Sequence, residues 1–135
     1  MINRPCQPIG FTLLVIAFVM TGTACMAGGY KNISPTEARK MINSGQESLL
    51  ILDVRTAGEY KKDKHIKNSV LIPISVIEAR ISEIEAYREK NVIVYCKVGG
   101  RSSRVSNYLT GQGFKKIHNM TGGIREWKRL GYEVE

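Results

Sequence analysis

Two apolar runs stand in the middle of the chain: Leu49-Leu50-Ile51-Leu52, leading into Asp53-Val54, and Val92-Ile93-Val94-Tyr95. Neither alternates with polar residues, which predicts strands covered on both faces, as in a parallel sheet. Between them Ile74, Ile77, Ile81 and Ile84 recur at helical spacing, with Glu78, Arg80, Glu83 and Glu85 interleaved. That pattern predicts an amphipathic helix. Upstream, Ser34-Pro35-Thr36-Glu37 has the form of a capping box with proline at the first helical position. The helix it opens is expected to run to about Asn43 and to end at Gly45. A short helix over 57–62, a loop through His65 and a strand over 69–72, stopped by Pro73, complete the first half.

Beyond the second run, Lys97-Val98-Gly99-Gly100-Arg101 reads as a tight loop. Ser102 then opens a helix through Val105, Leu109 and Gln112, closed by Gly113. A strand at Lys116-Ile117-His118 follows, and Thr121-Gly122-Gly123 turns into a last helix holding Trp127 and Leu130. Residues 26–31 read as a linker. Strands alternating with helices over short connections imply an α/β domain with a mainly parallel central sheet flanked by helices.

The N-terminus follows a different pattern. Arg4 precedes an uncharged, mostly apolar run from Ile9 to Met20, and the small residues Gly22, Thr23 and Ala24 stand ahead of Cys25. A basic start, a compact apolar core and a small-residue site form a secretory signal. Residues 1–27 are therefore expected to act as a signal peptide or membrane anchor, and 28–135 as the folded domain. The arrangement resembles a bacterial lipoprotein signal with lipidation at Cys25, although Gly22 stands where such signals carry leucine. Ordinary cleavage and retention as an anchor are the alternatives, since the uncharged stretch 9–27 approaches the roughly 20 residues that span a bilayer. Each places the domain outside the cytoplasm, in a bacterial periplasm or attached to a membrane.

With 135 residues, 43% hydrophobic and 24% charged, the chain suits one domain plus this appendage. The net charge of +8 favours anionic partners. Its basic residues are scattered without aromatic interleaving, which excludes a nucleic-acid reader as the expected function. Cysteines at 6, 25 and 96 form no CxxC, and no histidine stands at metal-ligand spacing. Neither a metal nor a cofactor is expected, and Cys96 is read as a lone thiol within the folded region.

Cys96 is where the chemistry concentrates. It sits at the carboxyl end of a buried strand, the edge where open α/β sheets bind ligands. Gly99 and Gly100 permit backbone conformations that turn successive N–H groups inward as an anion-binding nest. The helix beyond adds unpaired N–H groups and its positive end. Both favour the thiolate, which is the nucleophilic form. Lys97 and Arg101 add positive charge, and the planar fork of Arg101 suits an oxyanion. Ser102 is placed to cap the helix and to bind an anion through its hydroxyl.

Leu52-Asp53-Val54-Arg55 with Glu59-Tyr60, His65-Ile66, Ile72-Pro73, Val94-Tyr95-Cys96, Gly99-Gly100-Arg101-Ser102 and Gly122-Gly123-Ile124-Arg125-Glu126-Trp127 together resemble a single-domain rhodanese over about residues 33–134. The resemblance implies that Cys96 takes a sulfane sulfur from a donor such as thiosulfate. The resulting persulfide would pass it to a thiophilic acceptor, cyanide or a thiol, including a protein thiol. It also implies that Lys97, Val98, Gly99, Gly100, Arg101 and Ser102 bind the substrate, largely through backbone amides. The chain departs from the family pattern at Lys64, where many members have glycine before the histidine, and at Lys67-Asn68-Ser69-Val70, where they carry a Pro-Gly-Ala-like stretch.

Two other functions share this scaffold. Phosphatases and arsenate reductases of the related cysteine-loop class place five residues between cysteine and arginine. Here four intervene, a smaller cradle suited to attack on sulfur. Non-catalytic binding modules of this fold typically lack the cysteine, which this chain retains. Among the remaining polar residues, Asp53 and Arg55 are expected to be structural, capping the next helix or pairing with Glu59. His65 is expected to hold its loop, Trp127 to pack in the core, and His118 to lie in a strand or on the surface.

Overall fold

The structure, a computed structural model, describes residues 29–45 and 48–135. The segment read as a signal or anchor, with Cys6 and Cys25, lies outside the described residues. Among the described residues no helix is long and apolar enough to cross a membrane.

The strands are β1 (Lys31–Ile33), β2 (Leu50–Asp53), β3 (Val70–Leu71), β4 (Asn91–Tyr95) and β5 (Lys116–Met120). They form one sheet in the order β1-β5-β4-β2-β3, and every pairing is parallel. The helices are α1 (Pro35–Asn43), α2 (Ala57–Lys62), α3 (Ile77–Arg80), α4 (Gly100–Gly111) and α5 (Gly123–Arg129). The two apolar runs are the adjacent strands β2 and β4. Side chains on them alternate between faces, and both faces are packed. Leu50, Leu52, Val92 and Val94 join Val105 and Leu109 of α4 on one side. Ile51, Ile93 and Tyr95 join Ala38 of α1 and Trp127 of α5 on the other. This double burial is why the runs carry no polar alternation.

Register then places the site. Asp53 pairs with Tyr95, and the Val54 amide donates to the Tyr95 carbonyl at 3.0 Å. The segments Val54-Arg55 and Cys96-Lys97 therefore leave the sheet side by side at its centre.

Local signals explain the helix starts. Ser34 and Glu37 form the reciprocal capping box expected for α1. Thr56 and Glu59 form a second box at α2, so Thr56, and neither Asp53 nor Arg55, caps that helix. The amphipathic helix expected over 74–84 is instead a 3₁₀ turn (Ile74–Val76), the α-helical α3, and a second 3₁₀ stretch (Ile81–Tyr87). The isoleucine intervals of three, four and three residues match that succession, because i and i+3 eclipse in a 3₁₀ helix. Ile77 and Ile84 are buried in the same core as α4. Residue 31, read as the end of a linker, starts β1, an edge strand in which only Ile33 is buried. Three residues with one inward side chain leave no periodicity to detect.

Candidate active site

Gly99 determines the shape of the loop after β4. Its φ of 113° is in the left-handed range and it caps α4, which starts at Gly100 rather than at the expected Ser102. The chain thereby turns back over Cys96. The Gly99 amide donates to Cys96 Sγ at 3.1 Å, and Ser102 Oγ lies 3.5 Å from the same sulfur. Cys96 is 1% exposed. Burial alone pushes its thiol up, but the Ser102 hydroxyl and the amides of Ser102, Gly99 and Val98 outweigh that and hold it below the ordinary thiol value.

The Ser102 hydroxyl has one proton and two calls on it. It donates to the Gly99 carbonyl at 3.0 Å while the thiol points to its oxygen. When Cys96 loses its proton, the same hydroxyl can rotate and donate to the thiolate, because a hydroxyl both donates and accepts.

A second layer holds the loop from behind. The Ile124 amide donates to the Cys96 carbonyl at 2.9 Å and the Arg125 amide to the Lys97 carbonyl at 3.1 Å. That approach requires Gly123 to be glycine. A Cβ there would fall on the Cys96 carbonyl oxygen and 2.5 Å from the Lys97 carbonyl carbon and oxygen. In sequence Gly122-Gly123 signals only a turn, so this contact was not legible.

Arg101 has an acidic partner that the sequence does not reveal. Its Nη1 and Nη2 each donate to Glu59 at 2.7 Å. This bidentate pair, with the two Thr56 groups of the α2 cap, lowers the Glu59 carboxyl to about 2. Arg101 also faces Cys96, whose thiolate adds to the stabilisation of its charge. The Lys97 and Val98 side chains are exposed, leaving Val98 to act on the sulfur through its amide. Gly100 has open space around its Cα.

The Asp53–Arg55 pair is separate and buried, at 0% and 1% exposure. Arg55 Nη2 donates to Asp53 at 2.7 Å and to the Lys64 carbonyl at 2.8 Å. Arg55 thus pairs with Asp53 and not with Glu59, which is committed to Arg101. His65 stacks on Tyr60 with ring centroids 3.7 Å apart, and its backbone exchanges two hydrogen bonds with Glu135. Trp127 is buried and donates to the Glu133 carbonyl. His118 lies on β5, its Nε2 3.0 Å from Asn91 Oδ1.

A parallel sheet that presents a cysteine at its centre, its thiol held below the ordinary value inside a glycine-bearing loop lined with amides, defines an α/β domain built around a stabilised thiolate. Residues 34–130 match the family model described as the Rhodanese-like domain. The chain is 35% identical over 99 residues to the thiosulfate sulfurtransferase GlpE of Coxiella burnetii, covering 73% of this chain and 88% of that one. It is 33% identical over 132 residues to a putative mitochondrial thiosulfate sulfurtransferase of Schizosaccharomyces pombe, covering 86% and 92%. Among solved structures, a rhodanese-related protein from Thermoplasma volcanium superposes with a TM-score of 0.69 at 30% identity, covering 78% and 98%. The chain belongs to the rhodanese-like domain family, and its named relatives place it in a sulfurtransferase family.

Proposed function

We propose that the protein is a thiosulfate sulfurtransferase-type enzyme working through a Cys96 persulfide. The single observation that carries this reading is the sulfur of Cys96, buried and 3.1 Å from the Gly99 amide, with Ser102 on its other side. The thiolate attacks the outer sulfur of thiosulfate. A sulfur–sulfur bond forms to Cys96, the bond to the sulfonate sulfur breaks, and sulfite leaves with that electron pair. Cyanide or a thiolate then attacks the terminal sulfur, a new bond to the acceptor forms, and the cysteine thiolate is regenerated. Backbone amides of Val98, Gly99 and Ser102 stabilise the charge on sulfur at both stages, a fixed electrostatic contribution that needs no rearrangement. Gly100 gives the backbone its entry into α4. Arg101 brings positive charge to the rim while Glu59 fixes its orientation. Lys97 adds a further cation for an anionic donor.

Steady-state assay with thiosulfate and cyanide tests this. Thiocyanate formation that disappears in Cys96→Ser supports the reading; turnover of an aryl phosphate without thiocyanate overturns it. The N-terminal pattern further supports export, and fatty-acid labelling that is lost in Cys25→Ser would select lipidation over simple cleavage or anchoring.

A further inference from the structure

A cavity of about 240 Å³ opens at the same carboxyl edge of the sheet, lined by Arg55, Asp63, Lys97, Ile124, Arg125 and Lys128. None of the groups that touch the Cys96 sulfur lines it. Its wall draws on the segments that follow β2, β4 and β5, including Ile124 and Arg125, whose amides donate to the Cys96 and Lys97 carbonyls.

Its charge is unbalanced. Four cations and one carboxylate line the cavity, and Asp53 neutralises Arg55 through the buried pair. Among the lining residues Lys97, Arg125 and Lys128 then face Asp63 alone, an excess of two positive charges, and the nearby Glu126 carboxylate, which also feels Arg125, is paired with Arg129. Lys128 Nζ donates to the Asp63 carbonyl, which draws the ammonium toward the cavity wall. Neither the Lys97 ammonium nor the Arg125 guanidinium has a hydrogen-bond or ion-pair partner among the described residues. Arg55 Nη1 likewise makes no hydrogen bond to a described residue, while Nε and Nη2 are fully used. The cavity also has an apolar component in Ile124, and in the alkyl stems of its lysines.

We propose that this cavity is an anion site distinct from the Cys96 cradle, and that it takes a small organic dianion, two carboxylates on a short apolar body. Guanidinium forks match planar carboxylates, two negative charges balance the excess, and the apolar wall packs the connecting carbons. The volume is that of about eight waters at roughly 30 Å³ each, room for a four- or five-carbon diacid. Because Lys97 belongs to both the wall and the loop, an occupant would sit one residue away from Cys96.

Succinate titrated into the isotopically labelled protein at constant ionic strength, followed by amide NMR, tests this site without reference to sulfur transfer. Saturable shifts centred on Asp63, Lys97, Ile124, Arg125 and Lys128 are expected, with little effect of succinamide, which has the same body without charge. Arg125→Gln/Lys128→Gln, both at exposed positions of α5, should weaken succinate about tenfold. The charge-matched Lys115→Gln/Lys116→Gln, at the opposite end of β5, should not. Shifts centred on Gly99–Ser102, equal shifts with succinamide, equal weakening in both double variants, or no saturable shift would each overturn the proposal. Failure of thiosulfate turnover would leave this result unaffected.

Discussion

Two of the regions of this molecule that place residues in the left-handed range do so with different residue types. Around Cys96 the positions are Gly99, Gly122 and Gly123. In the loop that carries His65 they are Lys64 and Asn68, each with φ of 61°. Gly123 is set where backbone meets backbone, on the carbonyls of Cys96 and Lys97, whereas a Cβ on Gly99 would meet Gly122 N at an ordinary 3.5 Å, so Gly99 is favoured by its φ alone. Lys64 and Asn68 are exposed and face no such crowding. Their conformation is imposed from outside, by Arg55 on the Lys64 carbonyl and by Glu135 on the Asn68 amide. Left-handed backbone costs a side chain about 1–2 kcal/mol. The chain tolerates that cost where only a turn is needed, and avoids it where a Cβ has no room.

The largest effect should come from Gly123→Ala. Its Cβ collides with fixed backbone at a left-handed position, so a loss of about 3 kcal/mol or more is expected in urea denaturation. Gly100→Ala, with open space and helical geometry, should be neutral or slightly stabilising. Equal losses at both positions would remove the distinction drawn between crowded and open glycines.

Glu59→Gln comes next. It breaks the bidentate pair to Arg101 and should cost about 1–2 kcal/mol at neutral pH. Because the folded Glu59 carboxyl lies at about 2 against an ordinary 4.5, its contribution is complete above pH 4.5. It is lost as the pH falls toward 2. Urea midpoints of protein and variant should therefore converge on acidification; a gap that persists at low pH would show that the ion pair is not its source.

Ser102→Ala removes a buried hydroxyl and should cost about 1 kcal/mol. It also takes one of the donors from Cys96, so the pH profile of alkylation by iodoacetamide should move upward. An unchanged profile would mean that the amides alone hold the thiolate. The smallest effect is expected from Lys64→Gly, a gain of about 0.5 kcal/mol by relief of the left-handed lysine against the added chain entropy. A loss there would mean that the lysine side chain contributes more than its backbone costs.

These predictions concern residues that differ in how legible they were. The strands around Leu52 and Val94 and the capping box at Ser34 are local patterns, and the structure places them where the pattern does. The parallel sheet follows from their order along the chain, and the rhodanese-like fold from the resemblance of its motifs to that family. The Glu59–Arg101 pair spans 42 positions and the Gly123 contact joins the loop after β5 to the loop after β4. Nothing in local periodicity encodes such contacts, because they exist only once the parallel strands align their carboxyl ends. For the same reason the sequence shows Arg101 as a cation beside the loop but not that its fork is bound to Glu59. The broken helix at 74–87 is the reverse case: the isoleucine spacing was visible, but its intervals fit alternating 3₁₀ and α turns as well as one helix.

The most direct test of sulfur chemistry at Cys96 is the intact mass of the purified protein after incubation with thiosulfate and removal of the excess. A gain of one sulfur atom, absent in Cys96→Ser and discharged by cyanide, is the predicted result. An unchanged mass with thiosulfate and with other sulfane donors, from a protein whose Cys96 still reacts with iodoacetamide, would contradict it.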